Sequence, residues 1–182
     1  KERLRGHAAT TVPTTPAALA YALDKWGTRP LSRVLEPAIR FAKEGVEVSQ
    51  LQNALTHRTL SELRKGTAGA IFLDAQGQPY EVGSIFRQPV LAETYERIAA
   101  VGVEDFYLGD IAHIIHEDME AHEGLVHLDD LANIPWPIER RPISCRFNGY
   151  RFLTFGPPGA GRTLVEMLNI LGHFPDTRHQ LD

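Results

Sequence analysis

The sequence predicts an α+β fold that is mainly helical with a few short strands, and three observations carry that reading. From about residue 14 to 133 apolar residues recur at three- and four-residue spacing between glycines, the pattern of successive amphipathic helices. Pro142 to Phe147 and Tyr150 to Phe155 are short runs rich in β-formers that meet at Asn148-Gly149, a hairpin signal. Gly149 to Phe174 then reads as strand, glycine-rich loop and helix.

Taken in order, Lys1 to Thr11 is a polar lead-in. Thr14 or Thr15 caps a first helix with Pro16 near its start, and Leu19, Leu23 and Trp26 form its apolar face before Gly27. Leu31 to Glu44 is a second helix with the stripe Leu31, Leu35, Ile39 and Ala42, ended by Gly45. Pro37 lies inside it and removes a backbone donor, so a break or kink is expected there. Ser49 caps a third helix from Gln50 to Lys65, closed by Gly66. Ala70 to Leu73 reads as a strand, Asp74 to Gly77 as a turn and Tyr80 to Val82 as the return strand. Pro89 starts a fourth helix to Ala100, with Leu91, Tyr95 and Ile98 inward and Gly102 at its end. Asp105 to Glu123 is a fifth, with Ile111, Ile114, Ile115 and Met119 as the buried stripe. Leu128 to Ala132 forms one helical turn, and the hairpin and a last helix from Arg162 to Phe174 follow, with Leu164, Leu168 and Leu171 at helical spacing.

At 182 residues the chain can hold one domain with a proper core or two small ones. Hydrophobic content of 43% and charged content of 23% are ordinary for a globular protein. A net charge of −4 argues against a nucleic-acid partner. No apolar run approaches the length of a membrane span. Cys145 is the only cysteine, which rules out an intrachain disulfide. The chain opens without an initiating Met or a signal-peptide core and ends in polar FPDTRHQLD, so it is expected to be a piece of a longer protein.

The loudest local signal is Gly156 to Thr163. Gly156 and Gly161, followed by Arg162 and Thr163, fit a phosphate-binding P-loop except that arginine replaces lysine. Arginine offers a wide fork where a compact point charge is needed. A nucleotide hydrolase also requires an acidic metal-binding strand after the loop, whereas only a helix and the tail 175–182 follow here. The nucleotide-binding module therefore stays as the alternative reading.

Other chemistry has a plainer explanation at each position. His113, His116, Glu117 and His122 lack the four-residue histidine spacing of a zincin, and a solvated helix face accounts for them, so no metal site is assigned. Asp105, Asp129 and Asp130 could supply carboxylates for acid–base work, but Asp129 and Asp130 fit better as the charged start of a short helix. Cys145 reads as a small buried strand residue. Thr10-Thr11 and Thr14-Thr15 lead into prolines instead of the hydrophobic strand that an N-terminal threonine nucleophile would head.

The order of several short stretches carries a resemblance. Val12-Pro13 precedes an alanine-rich helix; Lys25 to Thr28 with Pro30-Leu31, Glu36 to Ile39 and Ala42 to Gly45 follow. Next come Gly83, Gln88, Leu91 to Thr94, Ile98-Ala99, Gly102, Phe106-Tyr107, Gly109 and Ile111-Ala112. Gly124-Leu125, Asp129 to Ala132, Pro142-Ile143, Gly149-Tyr150, Pro157-Pro158 and Leu168 to Leu171 complete the set. Together they resemble the γ-glutamyltransferase (γ-glutamyltranspeptidase) family over nearly the whole chain, at the middle of its large subunit. In that family a Pro-Pro, serine- and glycine-rich loop between strand and helix holds no nucleotide. This chain departs from the pattern at Pro13-Thr14, where the family usually has Pro-Gly. It departs again at Gly159 to Arg162, where the family usually has Ser-Ser-Gly-Gly.

The resemblance implies a fragment of an Ntn-hydrolase with an αββα sandwich, made as one precursor that cuts itself into two subunits. The freed N-terminal threonine would attack a γ-glutamyl amide such as glutathione and pass the acyl group to water, an amino acid or a peptide. The substrate-carboxylate arginine is expected before Lys1, and the nucleophile and oxyanion glycines after Asp182. No catalytic, cofactor-binding or metal residue is carried over to this chain, no cofactor is implied, and the fragment alone is expected to be inactive. Its partners would be the rest of the parent protein, with a homo-oligomer as a substitute; many members are periplasmic or extracellular. A non-catalytic descendant of the family is the remaining alternative.

Overall fold

Helices dominate the chain, and they fall into two compact units, Lys1–Pro137 and Ile138–Asp182. The computed structural model describes residues 5–134 and 137–174. The first four residues of the polar lead-in and the tail 175–182 lie outside the described residues.

In the first unit, a 3-10 turn at His7–Ala9 leads to helix α1, Thr15–Trp26. Thr14 takes the capping position without a side-chain bond. The cap comes from Tyr107, whose hydroxyl accepts from the Ala17 N–H at 3.0 Å and donates to the Pro13 carbonyl at 2.9 Å. A helix N-terminus leaves such N–H groups without partners, so this contact meets a real need. It also turns the helix: Ala17 is buried, whereas Leu19 and Trp26, expected inward, are more than 60% exposed. Small side chains let the α1 backbone come within reach of the Tyr107 hydroxyl, and the larger residues are left outside.

Helix α2, Leu31–Glu44, runs unbroken through Pro37, contrary to the expected break. Pro37 sits on the exposed side, where water can satisfy the carbonyl it leaves free. The inner side of α2, through Leu35, Ile39 and buried Ala42, packs on helix α5, Pro89–Val101. The chain between them contains strand β1, Val46–Glu47, helix α3, Gln50–Leu63, helix α4, Gly69–Phe72, and strand β2, Ile85–Phe86. Ser49 caps α3 as expected, its hydroxyl accepting from the Gln52 N–H at 3.1 Å.

The expected strand at Ala70 to Leu73 is a helical turn instead. Four apolar residues in a row do not distinguish the two states. The turn after it exists: Asp74 Oδ1 accepts from the Gln76 and Gln78 amides at 2.9 and 2.8 Å, and Leu73 and Pro79 form one isolated bridge. The true pair is β1 with β2, antiparallel, with Val46 opposite Phe86. Phe86 is buried and its ring meets Phe72 and Tyr80 at 5.8 and 5.4 Å.

The single helix expected from Asp105 to Glu123 breaks at Gly109 into α6, Asp105–Leu108, and α7, Asp110–Ala121. The inward residues of α7 are Ile111, Ala112, Ile115 and Met119, and Ile114 is 63% exposed. Helix α8, Leu128–Ala132, closes the unit. Its Leu131 joins Ala17, Tyr107, Ala112, Met119 and Val126 in one core.

The second unit is a two-stranded antiparallel hairpin with one helix. Strands β3, Ile143–Phe147, and β4, Tyr150–Thr154, pair in register with Cys145 opposite Phe152. Asn148 and Gly149 join them with φ of 49° and 82°, the primed turn that matches strand twist. Helix α9, Gly161–Leu171, lies against β3 and is half-buried at Val165 and Leu168, while Gly161 at its start is buried at the end of β4. Leu164 and Leu171, expected on the inner stripe, are 43% and 50% exposed. Tyr150, Leu153, Phe155, Met167 and Phe174 are also exposed.

A lone hairpin is marginal in water and one helix covers only one face of it. Hydrogen exchange on a dilute monomer of the chain should therefore find Arg151 to Phe155 and Val165 to Leu171 less protected than α2, α5 and α7. Equal protection in both units would show that the hairpin and its helix are stable by themselves.

Candidate functional site

Asp105 is the one buried charged residue among the described residues, at 8% exposure, and its partners decide what it can do. Arg97, from the last part of α5, reaches across Gly102 and donates from Nε to Asp105 Oδ2 at 2.6 Å and from Nη2 to Oδ1 at 2.8 Å. The same Nη2 lies 2.7 Å from Asp110 Oδ2. The Asp110 amide donates to Asp105 Oδ1 at 3.2 Å, so the carboxylate fills the gap where the helix breaks. The Arg97 hydrogen bonds pull the Asp105 carboxyl down to about 2, against burial, which pushes it up. The protein layer over Asp105 is thin, and the forked guanidinium outweighs the loss of water. A carboxyl held this low stays ionised at neutral pH and does not shuttle protons, which removes Asp105 as an acid–base candidate.

The Asp130 carboxylate and the Asp129 backbone hold the short helix α8. Asp130 accepts from the His127 N–H at 2.9 Å and closes a capping box on α8, while the Asp129 carbonyl accepts from the Asn133 side chain at 2.8 Å. Tyr107 is bonded at both ends of α1's entry, and burial pushes its phenol up.

The histidines, read from their spacing as a solvated helix face, divide between two groups. His113 and Glu117 are exposed, and His116 turns to His127, ring centroids 5.7 Å apart, with Glu120 at 3.6 Å. His122 instead meets Asp118 and, from far away in sequence, His7. Local spacing could not reveal a partner 111 residues away. Tyr107 was missed as an anchor for the same reason, its partner Ala17 lying 90 residues away, and Arg97 because its pairing spans a loop between two helices.

An open groove of about 1070 Å³ runs along α2 and α5 past Arg29, Arg33, Arg40 and Lys43. Its charges are partly matched, since Arg33 pairs with Glu36 and Lys43 with Glu96. Cys145 is half-buried on the helix-facing side of β3.

In the second unit the glycine-rich loop is built for packing. A Cβ on Gly161 would stand 2.0 Å from the Phe155 carbonyl oxygen and 2.4 Å from Thr154 Oγ1, so the helix start is pressed onto the end of β4. The Gly159 amide already donates to the Gly156 carbonyl at 3.1 Å, and Arg140 donates to the Pro157 carbonyl at 2.7 Å. The strand before the loop belongs to an antiparallel hairpin, where a P-loop sits at the end of a parallel strand next to an acidic one. The nucleotide-binding alternative has no support in this geometry.

Comparison with known proteins agrees. A family model described as gamma-glutamyltranspeptidase matches residues 1–182. The glutathione hydrolase proenzyme of Escherichia coli (strain K12) is 36% identical over 177 residues, 96% of this chain and 30% of that protein. The crystal structure of Helicobacter pylori gamma-glutamyltranspeptidase aligns with a TM-score of 0.88 at 30% identity, covering 98% of this chain and 51% of that one. A cephalosporin acylase from Bacillus halodurans aligns with a TM-score of 0.84 at 32% identity, covering 95% of this chain and 33% of that one. The chain spans about 30% of the length of the curated relatives it matches.

Two outcomes follow from this geometry. Asp105 has a folded value near 2, below the ordinary value of about 3.9. Its pairing therefore contributes stability that is full above about pH 4 and is lost as pH falls towards 2. Asp105→Asn should lower the melting temperature at pH 7 and flatten the acid limb of a melting series between those values. An acid limb as steep as that of the parent chain would mean that the pair adds nothing. Separately, ATP with Mg²⁺ should leave the melting temperature unchanged, where a ligand at 100 times its Kd adds about 2.7 kcal/mol. A saturable shift abolished by Thr163→Ala would restore the nucleotide reading.

Proposed function

Since the chain belongs to the gamma-glutamyltranspeptidase family, we propose that it is a scaffold segment of an Ntn-hydrolase whose parent protein cleaves γ-glutamyl amides and transfers the acyl group. The observation that carries this reading is the family match over residues 1–182, which includes the strand–loop–helix that otherwise mimics a nucleotide site. The glutathione hydrolase proenzyme of E. coli shares 36% identity with it, which favours glutathione-like substrates.

In this proposal the parent is cut at a threonine whose new α-amine serves as base. The threonine oxygen bonds to the γ-glutamyl carbonyl carbon, the C–N bond breaks, and the proton taken from the hydroxyl leaves with the amine. Water or an amino group then takes the acyl group from the threonine. The residues of this chain serve by position. Asp105, Asp129, Asp130 and Tyr107 are held in helix ends and caps. The αββα sandwich of the parent is part of the same proposal, and the exposed apolar side chains of the hairpin and α9 support it as surface that the remaining sequence would cover.

The test uses both lengths of protein. The parent should split into two subunits on a denaturing gel and hydrolyse a γ-glutamyl anilide, while Lys1–Asp182 alone stays at the blank rate. Turnover by the purified chain alone, or a self-cleaved parent that accepts other acyl amides but no γ-glutamyl donor, would overturn the proposal.

A further inference from the structure

We propose that His7, Asp118 and His122 form a site for a divalent transition cation, Zn²⁺ or a close neighbour in its series, on the first unit. The three groups come from two segments: His7 from the first turn of the chain, and Asp118 and His122 from the end of α7. Asp118 and His122 are four apart and so share a helix face. One ligand atom of each lies within 4.8 Å of those of the other two. His7 Nε2 stands 2.9 Å from Asp118 Oδ2, and His122 Nδ1 stands 3.2 Å from Asp118 Oδ1. Ligands about 2.0–2.1 Å from a tetrahedral zinc lie about 3.4 Å from one another, so three ligand atoms already within 4.8 Å, one from each residue, have a short way to close around one ion. The imidazole rings stack, centroids 4.4 Å apart and planes 10° from parallel, and because a ring nitrogen binds metal in the plane of its ring, one of the two turns out of the stack to share the ion.

Two imidazoles and one carboxylate suit zinc, nickel, cobalt or copper better than magnesium or calcium, which select oxygen ligands. Without the ion, a proton on His7 Nε2 bridges to the carboxylate. On binding, the neutral His7 ring would carry its proton on Nδ1 and offer the Nε2 lone pair, so that the cation is held by one carboxylate and two neutral rings. Without the ion, His122 Nδ1 donates to the Asp118 carbonyl oxygen at 2.8 Å, a bond the ring would give up, by turning or by moving its proton to the other nitrogen, to offer the cation a lone pair. The side chains of His7, His122 and Asp118 are 21%, 40% and 52% exposed, so the ion can enter and keep a water as its fourth ligand. Bound metal would clamp the first turn of the chain to α7.

Calorimetric titration of chelator-treated Lys1–Asp182 with ZnCl₂ tests this, with Co²⁺ absorption as a second reading of the ligands. One Zn²⁺ per chain is expected, with no matching uptake of Mg²⁺. His7→Gln and His122→Gln should each weaken it more than about tenfold, the low end of what even an outer partner of a metal ligand costs. Each should also change the visible Co²⁺ band, while His113→Ala leaves both readings unchanged. Circular dichroism confirms that each variant is folded, and His7→Ala replaces His7→Gln if that one is not. Absence of zinc binding, binding that survives loss of both His7 and His122, or dependence on His113 would each refute the site.

Discussion

The first unit depends on one buried carboxylate. Asp105 loses water on folding, and the loss is tolerable only because Arg97 supplies two charge-assisted bonds and the Asp110 amide a third. That requirement shapes the backbone. It fixes the end of α5 relative to α6, and it breaks the helix at Gly109 so that the carboxylate can enter the gap. Two residues on from Asp105, Tyr107 reaches back to Pro13 and Ala17, so α1 is docked by the same short helix. The core of Ala17, Tyr107, Ala112, Met119, Val126 and Leu131 then closes around it. Hydrophobic burial supplies most of the driving force, but it is non-directional. The polar anchor selects which faces are buried.

This explains where the sequence was legible. Helices α2, α3, α5 and α8 were read within a residue or two because their signals are local: a serine cap, prolines at the start, glycines at the end and an apolar stripe. The hairpin was read for the same reason, since Asn148-Gly149 favours one turn type. What was not legible came from side-chain partners on other elements and from strands too short to show a pattern. Leu19 and Trp26 face outward because Tyr107 orients α1. The break at Gly109 follows from Arg97, and β1 and β2 are too short, at two residues each, to show alternation.

The glycine-rich loop shows how one local pattern serves two different purposes. Gly156 to Thr163 carries glycines where a phosphate loop needs them, because both structures bring backbone close to something: phosphate oxygen in one, the end of a strand in the other. At Gly161 the close neighbours are the Phe155 carbonyl and Thr154, which are protein atoms. A residue-type pattern encodes the close approach but not its target. Only the surrounding strands separate the two, and an antiparallel hairpin excludes the parallel layer that nucleotide chemistry uses.

The two units differ in how their polar and apolar groups are matched, and the difference bears on what the chain is for. In the first unit residues of different helices satisfy each other, as Tyr107 does for Ala17 and Arg97 for Asp105. In the second, hydrogen bonds run mainly along the hairpin and within α9 and its loop, and many large apolar side chains stay in water. Val165 and Leu168 cover one side of a sheet that has two. A surface of that kind is unfavourable for an isolated unit and favourable for a segment that meets other protein. The chain thus combines a helical body held by side-chain anchors with a strand–loop–helix that is complete in backbone pairing but not in burial, as expected where the segment spans about 30% of its relatives' length.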